Sequence, residues 1–176
     1  MSELNEAWTL GLAEAEARAR AKGRADIAEY LALRSSNDLT RSIAGDWLLQ
    51  MFANAAGEAN RAGAAIQISR DDAHRFKVDN ASMVGSRLSL GKGVRMLRVA
   101  AGWPRTPRDG VIRGGGLACG HITHVGIKPA DEELRLIVDG NGRPSWIVIL
   151  KDGRQVEARE LQEADIKHHL AILLGD

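Results

Sequence analysis

The apolar positions along this chain change their period once, near Gly63. Before that point they recur at helical spacing. Beyond it they alternate in short runs, until a last helical stripe closes the chain. From Glu3 to about Lys22 the sequence is rich in alanine. Glu14 with Arg18 and Glu16 with Arg20 set an acid one helical turn before a base, the order that supports a helix. Leu4, Trp8 and Leu12 mark its inner face, and Gly23 interrupts it before Ile27, Tyr30 and Leu31 resume the stripe. Ser35, Ser36, Asn37 and Asp38 then offer oxygen-bearing caps. After them Leu39, Ile43, Trp47, Met51 and Ala55 recur at every fourth position, widened by Leu48 and Phe52, so a long amphipathic helix is expected to end near Gly63. Two helices with a short polar link most simply form an antiparallel hairpin that packs on something larger.

The alternating section reads as strands. Ala65 to Ser69, Arg75 to Val78, Ser86 to Leu90 and Val94 to Ala101 are separated by turn-forming clusters such as Gly91-Lys92-Gly93. Leu134 to Asp139, Trp146 to Leu150 and Gln155 to Arg159 follow, divided by Gly140 to Pro144 and by Asp152-Gly153, a dipeptide suited to a tight hairpin turn. Leu161 to Leu174 closes the chain as a helix, with Gly175 as its stop. No helix separates the strands, which excludes parallel crossovers. The expected fold is α+β: an N-terminal helical hairpin packed on a mainly antiparallel curved sheet or partial barrel of about seven strands, with a C-terminal helix. The expected organisation is a single domain over residues 1–176, helical over 1–62, antiparallel β over 64–159 and helical again over 161–174.

Composition agrees with a globular chain: 44% of the 176 residues are hydrophobic and 27% charged, which excludes a disordered polymer. The single cysteine, Cys119, cannot form an intrachain disulfide, so the fold needs no oxidising compartment. The N-terminus lacks a basic stretch followed by a long apolar one, and the longest apolar runs, Trp146 to Leu150 and Leu170 to Leu174, are too short to span a bilayer. A soluble, cytoplasmic protein without a membrane partner is expected.

The net charge of +1 conceals a strong asymmetry. Residues 1–62 carry −2 and residues 114–176 carry −3, whereas residues 70–113 carry +6. That basic block comprises Arg70, Arg75, Lys77, Arg87, Lys92, Arg95, Arg98, Arg105, Arg108 and Arg113. Arginines fork onto phosphates and carboxylates, and Trp103 or Phe76 could stack on a base, so the block is a candidate for nucleic-acid binding. The competing reading makes it the solvated face of strands, paired with acids of the same molecule. Gly102 to Gly110 is too rich in proline and glycine for a central strand and is expected to be a loop, with its tryptophan folded back over the core.

The densest chemistry lies in Val111 to Ile127, where Gly114, Gly115 and Gly116 run into Cys119, His121 and His124. Cys119, His121 and His124 are candidate metal ligands, and Cys119 with His121 a candidate nucleophile and base. On a strand Cys119 and His121 share one face, while His124 points to the other unless a bulge re-aims it. The glycines with Arg113 could instead bind an anion through backbone N–H groups. No Walker, Rossmann, zincin or nucleophile-elbow signature is present.

The leading expectation is therefore a binding or interaction module for a small anionic ligand or a protein partner. Its candidate ligand-binding residues are Trp103, Arg105, Arg108, Arg113, Gly114, Gly115 and Gly116. The alternatives are a small enzyme or metal-binding protein built on Cys119, His121 and His124, and nucleic-acid binding through residues 70–113. The sequence identifies no cofactor, and the apolar stripes of the first two helices leave homo-oligomerisation open.

Overall fold

The computed structural model describes residues 3–152 and 155–175. Gly153 of the expected Asp152-Gly153 turn and the side chain of Leu4 lie outside the described residues. The chain divides into two compact units, Met1–Ile43 and Ala44–Asp176.

In the first unit α1 (Glu3–Ala21) and the beginning of α2 (Ala25–Arg61) form an antiparallel hairpin. Gly23 makes the turn at φ +67°, a conformation glycine adopts without a Cβ penalty. The expected break at Ser35 to Asp38 does not occur, because α2 runs through it. Asp38 caps nothing. Its carboxylate accepts the indole N–H of Trp8 at 2.6 Å and the Arg41 guanidinium at 2.6 Å, while Arg34 lies 4.9 Å from the Trp8 ring centre. The polar residues read as a link are thus absorbed as side-chain partners on a continuous helix. Leu12, Ala19 and Ala28 are buried, whereas Tyr30, Leu33, Leu39 and Ile43 are exposed.

The second unit is built on seven antiparallel strands in chain order: β1 (Gln67–Val78), β2 (Ala81–Lys92), β3 (Arg95–Trp103), β4 (Ala118–His124), β5 (Glu132–Val138), β6 (Pro144–Asp152) and β7 (Gln155–Glu160). α3 (Glu163–Leu174) follows. The fold is α+β as expected, but the sheet does not close into a barrel, since β1 and β7 remain its two ends. The two short strands expected at 65–69 and 75–78 are the ends of one strand, β1. Its register against β2 shifts between Asp71 and His74, which is why the alternation fails there.

One face of the sheet is covered by helix. Leu48, Leu49 and Phe52 of α2 and Leu170 and Leu173 of α3 pack with Leu90, Leu97, Val99, Ile122, Leu134, Leu136 and Val148. The indole N–H of Trp146 donates to the Ala44 carbonyl at 2.9 Å, tying β6 to α2 through a buried bond. The expected inner stripe of α2 is corrected here. Leu39, Ile43 and Trp47 are exposed, and the buried positions are Ala44, Leu48, Leu49, Phe52 and Ala56. Apolar residues occupy both sides of this helix, so periodicity alone could not choose between them.

Phe52 has no exposed surface. Phe52→Ala is therefore expected to lower the free energy of unfolding by about 3–5 kcal/mol in urea denaturation.

Candidate functional site

β4 decides where the candidate residues go. It pairs with β3 and β5, and successive side chains of a strand point to opposite faces. Ala118 and Ile122 join the helix-covered core, so His124 goes with them. Cys119, opposite Gly102 and Arg135, and His121, opposite Ala100 and Glu133, take the other face. The structure brings Cys119 and His121 onto one face and does not bring His124 to them. Among the described residues no group of three or more His, Cys, Asp or Glu is placed to hold a metal ion.

Cys119 is fully buried beside Val78, Ala81 and Met83. Burial pushes its thiol up to about 11, against the opposing pull of the nearby Arg135. A thiol held protonated at neutral pH is a small apolar core group, not an activated nucleophile.

The glycine run serves an arginine. Gly114, Gly115 and Gly116 all have positive φ, at 77°, 83° and 97°. A Cβ at Gly116 would collide with the Arg135 side chain and the Leu136 carbonyl, and one at Gly114 with the Arg135 guanidinium. Three consecutive positive φ values let the chain wrap closely over Arg135 before Leu117 N–H bonds the Leu136 carbonyl at 2.8 Å. An anion nest alternates right- and left-handed residues, which is a different geometry.

Trp103 ends β3 in the helix-side core, and the Arg105 guanidinium stacks on its ring at 3.7 Å from the centre. The loop beyond closes on Asp109. Its carboxylate accepts the Thr106 N–H at 2.9 Å, the Thr106 hydroxyl at 2.9 Å and the Arg105 N–H at 3.2 Å. These bonds, led by the Thr106 backbone, hold the Asp109 carboxyl below its ordinary range. Arg108 and Arg113 stay exposed. The candidate ligand residues therefore divide into a Trp103–Arg105 stack, a glycine wrap over Arg135 and two arginines on the loop surface.

The face shared by Cys119 and His121 gathers residues that the sequence named only separately, and adds His74 and Asp71 to them. The Phe76 ring stands between two imidazoles, with its centre 5.8 Å from that of His74 and 5.3 Å from that of His121. Arg87 Nη2 and His74 Nδ1 each lie 3.7 Å from Oδ2 of Asp71. The buried apolar cluster on this face, Val78, Ala81, Met83 and Cys119, contains no helix residue, and the partly buried Phe76 and Ile112 pack against it. His74 registers the local field. Burial first, then Arg87 and Arg98, depress its pKa below the ordinary 6.5, with only Asp71 opposing. Arg87 and Arg98 belonged to the basic block. What the sequence lacked was the bulged register of β1, which aligns His74 with Gly85 and Phe76 with Met83.

His124 has a different partner on the other face. Its Nε2 lies 3.0 Å from Nδ1 of His169, whose Nε2 lies 3.3 Å from Oε2 of Glu132. His169 of α3 thus turns inward and is buried. No protein-family model, no curated protein and no solved structure matches the chain. Among the described residues no helix is long and apolar enough to cross a membrane.

The burial of Cys119 has a direct readout. A thiol reagent at neutral pH should leave the native protein unlabelled and modify one thiol per chain after denaturation. Fast labelling of the native state would contradict the buried, protonated thiol.

Proposed function

We propose that the protein is a binding module whose sheet face opposite the α3-covered core receives an anionic ligand carrying a planar group. The observation that supports this reading is the His74, Phe76 and His121 row beside Arg87 and Arg98. Aromatic faces stack on a planar group with little regard to its identity, and guanidinium groups supply charge and forked donors for a phosphate or carboxylate. Asp71 offsets part of this charge, which favours a compact anion over a long polyanion track. Neither the metal nor the nucleophile reading gains support from the geometry. Nucleic-acid binding becomes one outcome of the test.

Nuclear magnetic resonance titrations with inorganic phosphate, a nucleoside monophosphate and a short oligothymidine compare the sources of such an anion. The nucleoside monophosphate is expected to bind more tightly than phosphate. Phe76→Ala and Arg98→Ala should each weaken it about tenfold, or ~1.4 kcal/mol. Binding should tighten as pH falls through the depressed pKa of His74, because its protonation adds a positive charge. A long oligonucleotide that binds far better, with a steep salt dependence, would turn the reading toward single-stranded nucleic acid. No shift on this face with any of the three would reject it.

The hairpin of the first unit supports a second reading, a protein partner. Tyr30, Leu33, Leu39 and Ile43 are 60%, 62%, 56% and 61% exposed on a unit that buries only Leu12, Ala19 and Ala28 among its described apolar residues. Exposed apolar residues at this density mark an interaction surface. Sedimentation of the wild type against Leu33→Glu with Ile43→Glu tests self-association. A concentration-dependent dimer lost in the variant supports it, and two monomers at every concentration reject a homo-oligomer.

A further inference from the structure

A hydrogen-bonded pair of buried imidazoles joins α3 to the sheet. His124 of β4 and His169 of α3 are 4% and 2% exposed, and their rings stack with centres 5.2 Å apart. A carboxylate only accepts, so His169 Nε2–H donates to Glu132. That leaves His169 Nδ1 as the acceptor and His124 Nε2–H as its donor. The donor order of the neutral pair is thereby fixed. A first added proton is accommodated on the outer nitrogen, Nδ1, of His124 with the whole chain of bonds intact. A second must go onto His169 Nδ1, the nitrogen that accepts the inter-ring bond. Two N–H groups would then face each other at 3.0 Å, on two cations in a buried space.

Charged groups from each neighbouring element face this pair. Asp131 accepts the His124 backbone N–H at 2.7 Å, and Glu132 is bound by Arg159 of β7 at 3.3 Å. Arg159 also holds Asp165 of α3 at 2.6 Å, and His168 sits beside His169. From α2 the neighbour is the Phe52 ring, 6.2 Å from that of His169. At the far end of α3, Arg95 of β3 donates to the Ile172 carbonyl at 3.3 Å. The two carboxylates favour a protonated pair, while burial and Arg159 oppose it. The balance admits one proton and resists two.

We propose that α3 is an acid-released latch: one proton on the His124–His169 pair is tolerated, a second breaks the inter-ring bond, and α3 lifts while the sheet remains folded. Release uncovers Phe52 and the inner face of α3, Ile166, Leu170 and Leu173, as a new apolar surface. The direction in pH follows from His124. Burial, and next the neighbouring His169, hold its pKa below the ordinary 6.5. The open helix therefore binds protons more readily than the closed one. Closure is fully favoured above that ordinary value and is weakened as pH falls below it.

Hydrogen exchange of the full chain, corrected for intrinsic pH dependence, reads this directly. Between about pH 7.5 and about pH 5 the α3 amides should lose roughly tenfold or more in protection, while those of β3 and β4 keep theirs. In His124→Gln the amide donates to the neutral His169 Nδ1 and, turned over, accepts from its protonated form, so the buried pair never holds two cations and α3 should stay protected at the lower pH. Unchanged α3 protection in the wild type, equal loss in the variant, or simultaneous opening of β3 would each overturn the latch. Imidazole ¹⁵N shifts of the wild type test it without a variant. Both rings must be protonated at the pH where α3 opens, and opening with one ring neutral rejects the proposal.

Discussion

The structure of the second unit depends on the burial of one sheet face under Phe52, Leu48 and Leu49 of α2 and Leu170 and Leu173 of α3. Each such side chain contributes about 1.5–3 kcal/mol when fully removed from water. A one-residue slip in any strand would turn its apolar set outward, so this burial fixes the parity of every strand against the helices. The same parity sorts the chemistry. Ile122 is drawn to the helices and takes His124 with it, while Cys119 and His121 are left on the far side.

The opposite faces of β4 consequently do different things. On the core side the histidine pair lies buried and hydrogen-bonded to Glu132, where its protonation state is coupled to packing. On the face opposite that core the imidazoles flank a phenyl ring and remain partly exposed, in a field set by Arg87, Arg98 and Asp71. Arg135 belongs to neither arrangement. The glycine wrap covers it and Glu133 lies at 3.4 Å, so it supports the loop.

The architecture was legible because its signals are local. Alternation with Gly-rich turns announces a meander, and the period change near Gly63 marks the end of α2 within two residues. The parity of Cys119, His121 and His124 was legible for the same reason, since it needs only the strand. What escaped depended on contacts distant in sequence. Trp8 reaching Asp38 turned an apparent helix cap into a tertiary bond, and the bulge in β1 brought Phe76 to His121. His169 pairs with a residue 45 positions away, and no spacing rule connects them. The close approach of the glycine run to Arg135, which lies on a later strand, was likewise invisible to local reading.

A sheet that stays open keeps two edges, and unpaired edges invite strands from other molecules. Here β1 breaks its register between Asp71 and His74, and its Arg70 is held in ion pairs with Asp46 and Asp72. The bulge twists the backbone groups out of line, and the charges would have to be stripped of water or partners before another strand could dock. β7 carries Glu157, Arg159 and Glu160 along its short length. The feature that sets the register of the His74 and Phe76 row thus also guards the β1 edge against edge-to-edge pairing.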